Sequence, residues 1–181
     1  MPSSLIRSYG MSTGEVGTWL ALLAGLFGGV GTFLGGYLAD RFGKTDLRWY
    51  AWIPAIAYAL SVPLAAASFL TDRGTMALLY HALPAALASV FIGPVIAVTH
   101  GMVSNQMRAV ASAIYFLALN LIGMGLGPLV VGVLSDAIAP TYGMDSLRYA
   151  LLFVAPIMLA WGALHFFLAS SYIREESSGC A

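Results

Sequence analysis

Asp40 and Arg41 stand side by side in the run Gly36-Tyr37-Leu38-Ala39-Asp40-Arg41-Phe42-Gly43-Lys44, where a long apolar stretch ends. A carboxylate in such a place can accept hydrogen bonds from the exposed amides at a helix N-terminus, favoured by the helix dipole, and so act as a latch. The plainer alternative is a solvated acid in a basic loop. Other polar side chains interrupt apolar runs: Tyr80, His81, Ser89, Thr99 and His100 in one, Asn120 in the next, and His165 in the last. Such groups either line a path for a polar solute or bond to neighbouring helices. The sequence has no phosphate-binding glycine loop, metal-ligand cluster or nucleophile–base arrangement. No metal, cofactor or enzymatic role is expected, because nothing is present to hold a metal or to activate a nucleophile.

The elements that carry these residues are apolar and long. Sixty per cent of the 181 residues are hydrophobic, 9% are charged, and mean hydropathy is +0.85. Soluble domains carry about 25% charged residues, so the apolar excess must face lipid. The eight basic and eight acidic side chains balance, which argues against a nucleic-acid partner. Apolar runs at about 14–37, 49–70, 75–99, 109–134 and 147–172 each reach the roughly 20 residues needed to cross a bilayer. The alternating ten-residue pattern of barrel strands is absent from them. The fold class expected is all-α, a polytopic transmembrane bundle of five spans. Ser12-x-x-Glu15 reads as a capping box that opens the first. Trp19, Trp49, Tyr50 and Trp52 fall near span ends and suit an aromatic belt. The polar, Gly-containing N-terminus and the length of the first run do not read as a secretory signal. Cys180 stands alone, so no internal disulfide is expected.

Orientation follows from the basic residues. Arg41, Lys44 and Arg48 crowd the loop at 40–48, with Arg108 and Arg174 on the same side, against Arg7, Arg73 and Arg148 on the other. The positive-inside rule then places the N-terminus outside and the C-terminus in the cytoplasm.

An internal repeat runs through the chain. At an offset of 96 residues, Gly29, Gly31, Gly36, Leu38 and Asp40 fall on Gly125, Gly127, Gly132, Leu134 and Asp136. Leu47-Arg48 recurs as Leu147-Arg148, and Gly10-Met11 as Gly101-Met102. The offset covers three helices, an odd number, so the copies lie inverted in the membrane, as in many secondary transporters. The third span precedes the second copy. Its counterpart should precede residue 14, and the 13 residues there are too few to cross.

The run from Gly36 to Lys44 resembles the loop signature of the major facilitator superfamily, Gly-x-Leu-x-Asp-Arg-x-Gly-Arg/Lys. The stretches Pro2-Ser3-Ser4-Leu5-Ile6-Arg7-Ser8-Tyr9-Gly10-Met11-Ser12, Gly31-Thr32-Phe33-Leu34-Gly35-Gly36 and Asn120-Leu121-Ile122-Gly123-Met124-Gly125-Leu126-Gly127-Pro128 resemble its spinster-like branch, associated with lipid export. The resemblance implies that the five spans are helices 8 to 12, the C-terminal half without its N-terminal partner half. Gly36, Leu38, Asp40, Arg41, Gly43 and Lys44 would form the gating motif on a short cytoplasmic loop. Asp40 would latch onto the opposite half, and Gly43 would permit the tight turn. Asp136, which lacks a following arginine, is expected to be structural.

The resemblance also assigns the glycines. Gly28-x-x-x-Thr32-x-x-x-Gly36, Gly31-x-x-x-Gly35 and Gly123-x-x-x-Gly127 put small residues on one helix face, where backbones pack closely in lipid. In the family these faces slide against the other half; packing within the half is the alternative, and Pro128 should add a kink. The third span would line the central cavity with Tyr80, His81, Ser89 and His100, bent at Pro84 and Pro94. Asn120 would either face the cavity or bond to a neighbouring helix, and His165 should be peripheral. The function implied is secondary transport of a small organic or lipid-like solute by alternating access in a bacterial inner membrane. Any proton-coupling acid would lie in the other half. The alternative is a non-transporting membrane interaction or regulatory protein derived from a half transporter.

Overall fold

The computed structural model describes Ile6, Gly10 and residues 12–71 and 74–178. Arg7, Arg73 and Cys180 lie outside them, as does most of the N-terminal stretch that shares the resemblance. Among the described residues the regular structure is entirely helical. Helix α1 (Thr13–Gly43) opens on the expected box. The Ser12 hydroxyl accepts from the Glu15 amide at 3.3 Å, and Glu15 accepts from the Ser12 amide at 3.1 Å. Two of the four amides that every helix start leaves unpaired are thereby satisfied. α2 (Trp49–Leu70) matches the 49–70 run at both ends and absorbs Pro54 and Pro63 without breaking.

The third apolar run is divided. α3 (Gly74–Ser89) and α4 (Ile92–Gly101) meet at a turn over Val90 and Phe91. Pro94 has no amide to give the Val90 carbonyl, and the Val90 amide turns to the Leu87 carbonyl at 3.2 Å. The sequence predicted bends at Pro84 and Pro94 within one span; the bend at Pro94 has become an interruption.

α5 (residues 108–142) and α6 (Ser146–Ser178) belong to one helical run, Asn105–Ile173, of 69 residues. Straight, it would reach about 100 Å, some three times a bilayer core. It folds back at Gly143, whose φ of 53° lies in the left-handed region that glycine enters without strain. The chain therefore has five membrane-length legs: α1, α2, α3 with α4, α5, and α6. The first runs on to Gly43, six residues past the expected 37, and the last reaches Ser178 rather than 172.

The repeat shows in the backbone. α1 contains a π-helical segment at Leu23–Phe27, and α5 contains one at Leu119–Leu126. Their starts are 119 − 23 = 96 residues apart, the offset read from the glycines. A π segment rotates the face that follows it, so it marks a specific local geometry rather than a common default.

The core sits between α2 and its neighbours. The most extensive pairing joins α2 to α6, with α3 on another flank of α2 and α5 along α6. The Tyr58 ring meets Phe91 and Phe166 edge-on at 5.8 and 5.6 Å, tying α2, the third leg and α6 together. Ser135 and Ser146, both buried, bond at 3.1 Å where α5 turns into α6. Arg148, at the start of α6, donates to the carbonyls of Phe69 (2.6 Å) and Thr71 (2.9 Å). A cation there serves acceptors that the end of α2 leaves without amide partners.

Candidate gating motif and polar positions

The motif residues from Gly36 to Gly43 form the last two turns of α1 rather than a loop. The turn that follows is made at Lys44 and Thr45, where the Thr45 amide and hydroxyl both reach the Phe42 carbonyl, at 2.9 and 2.7 Å. Gly43 is thus not the turn glycine that was expected. The Tyr50 ring lies flat against it, and an added Cβ would overlap the ring. That approach lets Tyr50 donate to Asp40 Oδ1 at 2.9 Å. Leu38 half-buries itself against the cluster of Ala39, Ile53, Ala57 and Val90. Asp40, Arg41 and Lys44 stay exposed at the helix end. Arg48 turns back, 3.2 Å from Asp46 and 5.3 Å from the Trp52 ring centre.

The glycines of α1 are held within the chain. A Cβ at Gly31 would overlap the Ala86 carbonyl, and one at Gly35 would overlap the Val90 carbonyl. These two acceptors lie beside the Pro94 interruption. The first loses its usual amide when Val90 turns to Leu87, and the second faces an imino acid. Glycine Cα–H groups are the only partners that can come so close to them. Thr32 adds a bond from its hydroxyl to the Ser89 carbonyl at 3.3 Å, while keeping one to Gly28 at 3.0 Å. Gly28 meets the Ser89 hydroxyl, and a Cβ on Gly93 would lie 2.8 Å from the Gly36 amide nitrogen. Sliding against the other half and packing within this one were the two readings of these glycines; Gly28, Gly31 and Gly35 pack against the third leg.

Gly123 and Gly127 behave otherwise: no atom beyond their own helix comes within 4 Å of where a Cβ would stand. Packing within the chain, expected as one alternative for them, is absent among the described residues. Pro128 lies directly after the π segment, inside the continuous helix α5.

The polar positions do not converge. Tyr80 is exposed on α3. His81 sits 3.5 Å from the Ser68 hydroxyl with its ring against Phe69, sealing α3 to α2. Ser89 returns its hydroxyl to Ala85 at 2.9 Å. His100 meets the Ser112 hydroxyl at 2.7 Å, joining the ends of α4 and α5. Asn120 bonds within its own helix: its amide donates to the Phe116 carbonyl one turn back at 2.7 Å. His165 is exposed on α6 against Trp161, as expected for a peripheral position.

A cavity of about 570 Å³ opens at the motif end of the bundle, with Val98 and Gly101, on either side of His100 in sequence, in its wall. Leu47 and Tyr50 form one wall, Ala97 and Val98 another, and Ala169 and Tyr172 a third. Tyr50 therefore belongs both to the cavity and to the Asp40 contact, a link invisible in one dimension. Sequence reasoning also missed Tyr115, whose hydroxyl is buried on α5 without a hydrogen-bond partner among the described residues. A lone tyrosine inside an apolar run was the available signal.

The arrangement defines a class: a bundle of membrane-length helices built on an internal repeat, with a charged motif closing one helix. The sequence matches the Major Facilitator Superfamily over residues 1–179, and the chain belongs to that superfamily. Its fold is that of part of one superfamily half. It is 35% identical over 175 residues to an MFS-type efflux pump of Mycolicibacterium smegmatis (strain ATCC 700084 / mc(2)155), covering 97% of this chain and 41% of that protein. Two crystal structures of a bacterial homologue of the human lysosomal transporter Spinster superpose on it. The inward-facing unoccupied form gives a TM-score of 0.82 at 26% identity, over 95% of this chain and 43% of that one. The inward-facing occupied form gives 0.79 at 27%, over 94% and 44%. The chain spans less than half the length of the relatives it matches. The spinster-like resemblance and the superfamily identity agree with these findings.

Proposed function

We infer that the chain works in secondary transport of a small organic or lipid-like solute, as the C-terminal lobe of a two-lobed carrier that rocks between inward- and outward-open states. All five legs cross the bilayer in this reading, with the motif end of α1 in the cytoplasm and the N-terminal side outside, in a bacterial inner membrane. The carrying observation is the geometry of Asp40. It stands exposed at the end of α1, with Tyr50 bonding one oxygen and leaving the other free to accept from a helix N-terminus of the companion lobe. The mostly apolar walls of the cavity beside Tyr50 suit an amphipathic solute better than a sugar or an ion. The efflux-pump relative supports outward movement.

The test uses cells expressing the reading frame that contains this chain, with ethidium and a fluorescent lysophospholipid as probes. Export of at least one should depend on Asp40, and Asp40→Asn should lower its initial rate about tenfold, as loss of a charge-assisted contact of roughly 1.4 kcal/mol implies. Equal rates for the two proteins would overturn the latch. Absence of export by either would overturn the solute class. The orientation has its own check: an impermeant amine reagent applied outside intact cells should leave Lys44 unlabelled.

The exposed glycine face of α5 favours the companion reading, in which the chain serves as an interaction protein in the membrane. Purified in mild detergent, such a protein would migrate on a native gel with a second polypeptide and would transport nothing.

A further inference from the structure

The walls of the motif-end cavity come from three legs of this one chain: the start of α2, the half-helix α4 and the end of α6. Cargo sites in two-lobed carriers lie near the bilayer midplane, where repeats meet. A pocket enclosed within one lobe at the helix ends is a different kind of place. Leu47 and Tyr50 stand where α2 begins, and Gly101 ends α4. The ring cluster of Tyr58, Phe91 and Phe166 lies one to two turns further in on the same three legs, so the cavity is a shallow pocket and not a passage. Water fills it poorly. Leu47 is 51% exposed and Met102 73%, and of the described side chains lining it Tyr50 and Tyr172 carry the hydroxyls. A held water needs two to four polar partners, whereas about 570 Å³ of mostly apolar wall falls in the roughly 300–1,000 Å³ range of small-ligand sites. The rim is charged. Arg41 and Lys44 stand exposed beside Asp40 and Gly43, which Tyr50 bonds and covers, and neither cation holds an ion pair among the described residues. Arg48 is paired with Asp46. Two cations against the one Asp40 carboxylate leave the rim net positive.

We propose that this cavity is a binding site for an anionic lipid of the inner leaflet, one acyl chain lying between Ala97 and Ala169 and the headgroup phosphate meeting Arg41, Lys44 and the Tyr50 hydroxyl that now serves Asp40. An acyl chain is as well solvated by bulk lipid as by the cavity, so the headgroup supplies the selectivity. One net rim charge at the membrane surface is worth about a fivefold preference over a zwitterionic lipid with the same chains. The phenol adds a neutral donor to an ionised acceptor. Bound there, the lipid sets whether Tyr50 steadies Asp40. The assignment rests on the amphipathic reading of the cavity and on the motif end being cytoplasmic, and it makes the occupant a resident lipid rather than cargo.

The test takes protein purified in a mild non-ionic detergent from cells expressing the reading frame that contains this chain. It is titrated with dioleoyl phosphatidylglycerol and with dioleoyl phosphatidylcholine, and retained lipid is counted by native mass spectrometry. One phosphatidylglycerol should bind about fivefold more tightly than phosphatidylcholine, and added salt should shrink the difference. Lys44→Gln should bring the two lipids level. Ala169→Trp, at an exposed position in the cavity wall, should weaken the phosphatidylglycerol adduct about tenfold, as overpacking of the chain's place implies. A second measurement leaves the cavity unfilled. With Met102→Cys, maleimide labelling located by peptide mass should slow in proportion to the phosphatidylglycerol bound, while glycerol 3-phosphate at the same concentration leaves it unchanged. Equal binding of the two lipids, an adduct indifferent to Ala169→Trp, or unslowed labelling of Met102→Cys overturns the site. Protection by glycerol 3-phosphate alone would name a soluble phosphate ester as the ligand and also overturn it. Export intact with no adduct would strike the lipid site alone, and an adduct without Asp40-dependent export would strike the transport reading alone.

Discussion

α1 and α5 are the same helix written twice, and they meet opposite fates. Both pass through a π segment starting at equivalent leucines, and both carry glycines that match at 96 residues. In α1 the glycines are sealed against broken backbone of the third leg; in α5 they face open space. Matched glycines and matched starts of the π segments, five residues long in α1 and eight in α5, therefore do not fix equal burial. A small-residue face says that a backbone could approach. Whether one does depends on which neighbour the topology delivers, and here the odd number of helices delivers it to one copy.

The sharpest way to break this contrast is a bulky residue at matched positions. Gly31→Leu drives a side chain into the Ala86 carbonyl, which is backbone and cannot rotate away. It should cost about 3 kcal/mol or more by overpacking. Gly127→Leu, its mate, should change stability by less than about 0.5 kcal/mol in this chain, as for an ordinary surface position. Thermal unfolding of the two variants in the same detergent decides it, and similar losses for both would end the distinction between a filled and an empty seat.

A second matched pair is Arg48 and Arg148, which the repeat of Leu-Arg places at the starts of α2 and α6. Arg148 donates to two carbonyls at the end of α2, across 79 and 77 residues of chain. Bonds from a charged donor are worth about 1.5–3 kcal/mol each in favourable settings, so Arg148→Ala should cost about 2 kcal/mol after partial solvation. Arg48 is held by a local ion pair and a ring, and exposed pairs of this kind contribute about 0–1 kcal/mol. Arg48→Ala should be correspondingly mild, and raising salt should narrow its effect further while leaving that of Arg148→Ala nearly unchanged.

What the sequence could and could not carry divides along the same line. Local signals were legible. The Ser12–Glu15 box, the apolar lengths and the position of α2 depend on residues within a turn or two of each other. The motif was legible as text, yet its last turns proved helical, because nothing in Gly36 to Gly43 forbids a helix and the Tyr50 ring covers its final residue. The seam on α1 was half legible: the glycines advertised close approach, but its partner is a carbonyl ladder interrupted by Pro94, some sixty residues away. Asn120 was read as facing the cavity or bonding to a neighbouring helix; the carbonyl one turn back accepts from its amide, a local bond that needs no second helix. The contacts of Tyr50 and Arg148 were not legible, because their partners become neighbours only once α2 has packed.

The N-terminal cap offers a smaller test at the start of α1. Ser12→Ala removes the acceptor for the Glu15 amide and frees Glu15 from the box, a loss of about 1 kcal/mol at an ordinary cap. Amide hydrogen exchange should quicken in the first turn of α1 and stay unchanged past Leu23, since the π segment separates that turn from the sealed seam. Spread of the faster exchange to Gly31 would mean that the seam draws on the cap.

The smallest expected effect falls at the motif, where it is also the most informative. Tyr50→Phe keeps the ring on Gly43 and the wall of the cavity but deletes the bond to Asp40. A neutral donor to an exposed carboxylate is worth about 0.5–1.5 kcal/mol, and solvent can replace it, so the folded chain should lose about 0.5 kcal/mol. If Asp40 is a latch, that small local loss should still surface as a shift between inward- and outward-open states of the whole carrier, because freeing the carboxylate changes its fit to the other lobe. Distances between spin labels placed on the two lobes would read the shift, and Asp40→Asn should move the population in one direction with Tyr50→Phe intermediate. No shift in either variant, with stability intact, would assign Asp40 and Tyr50 to holding α2 against α1 and remove them from gating. The equivalent Asp136 on α5 has no following arginine and has Ser146 at the position matching Tyr50, so Asp136→Asn should leave the populations unmoved.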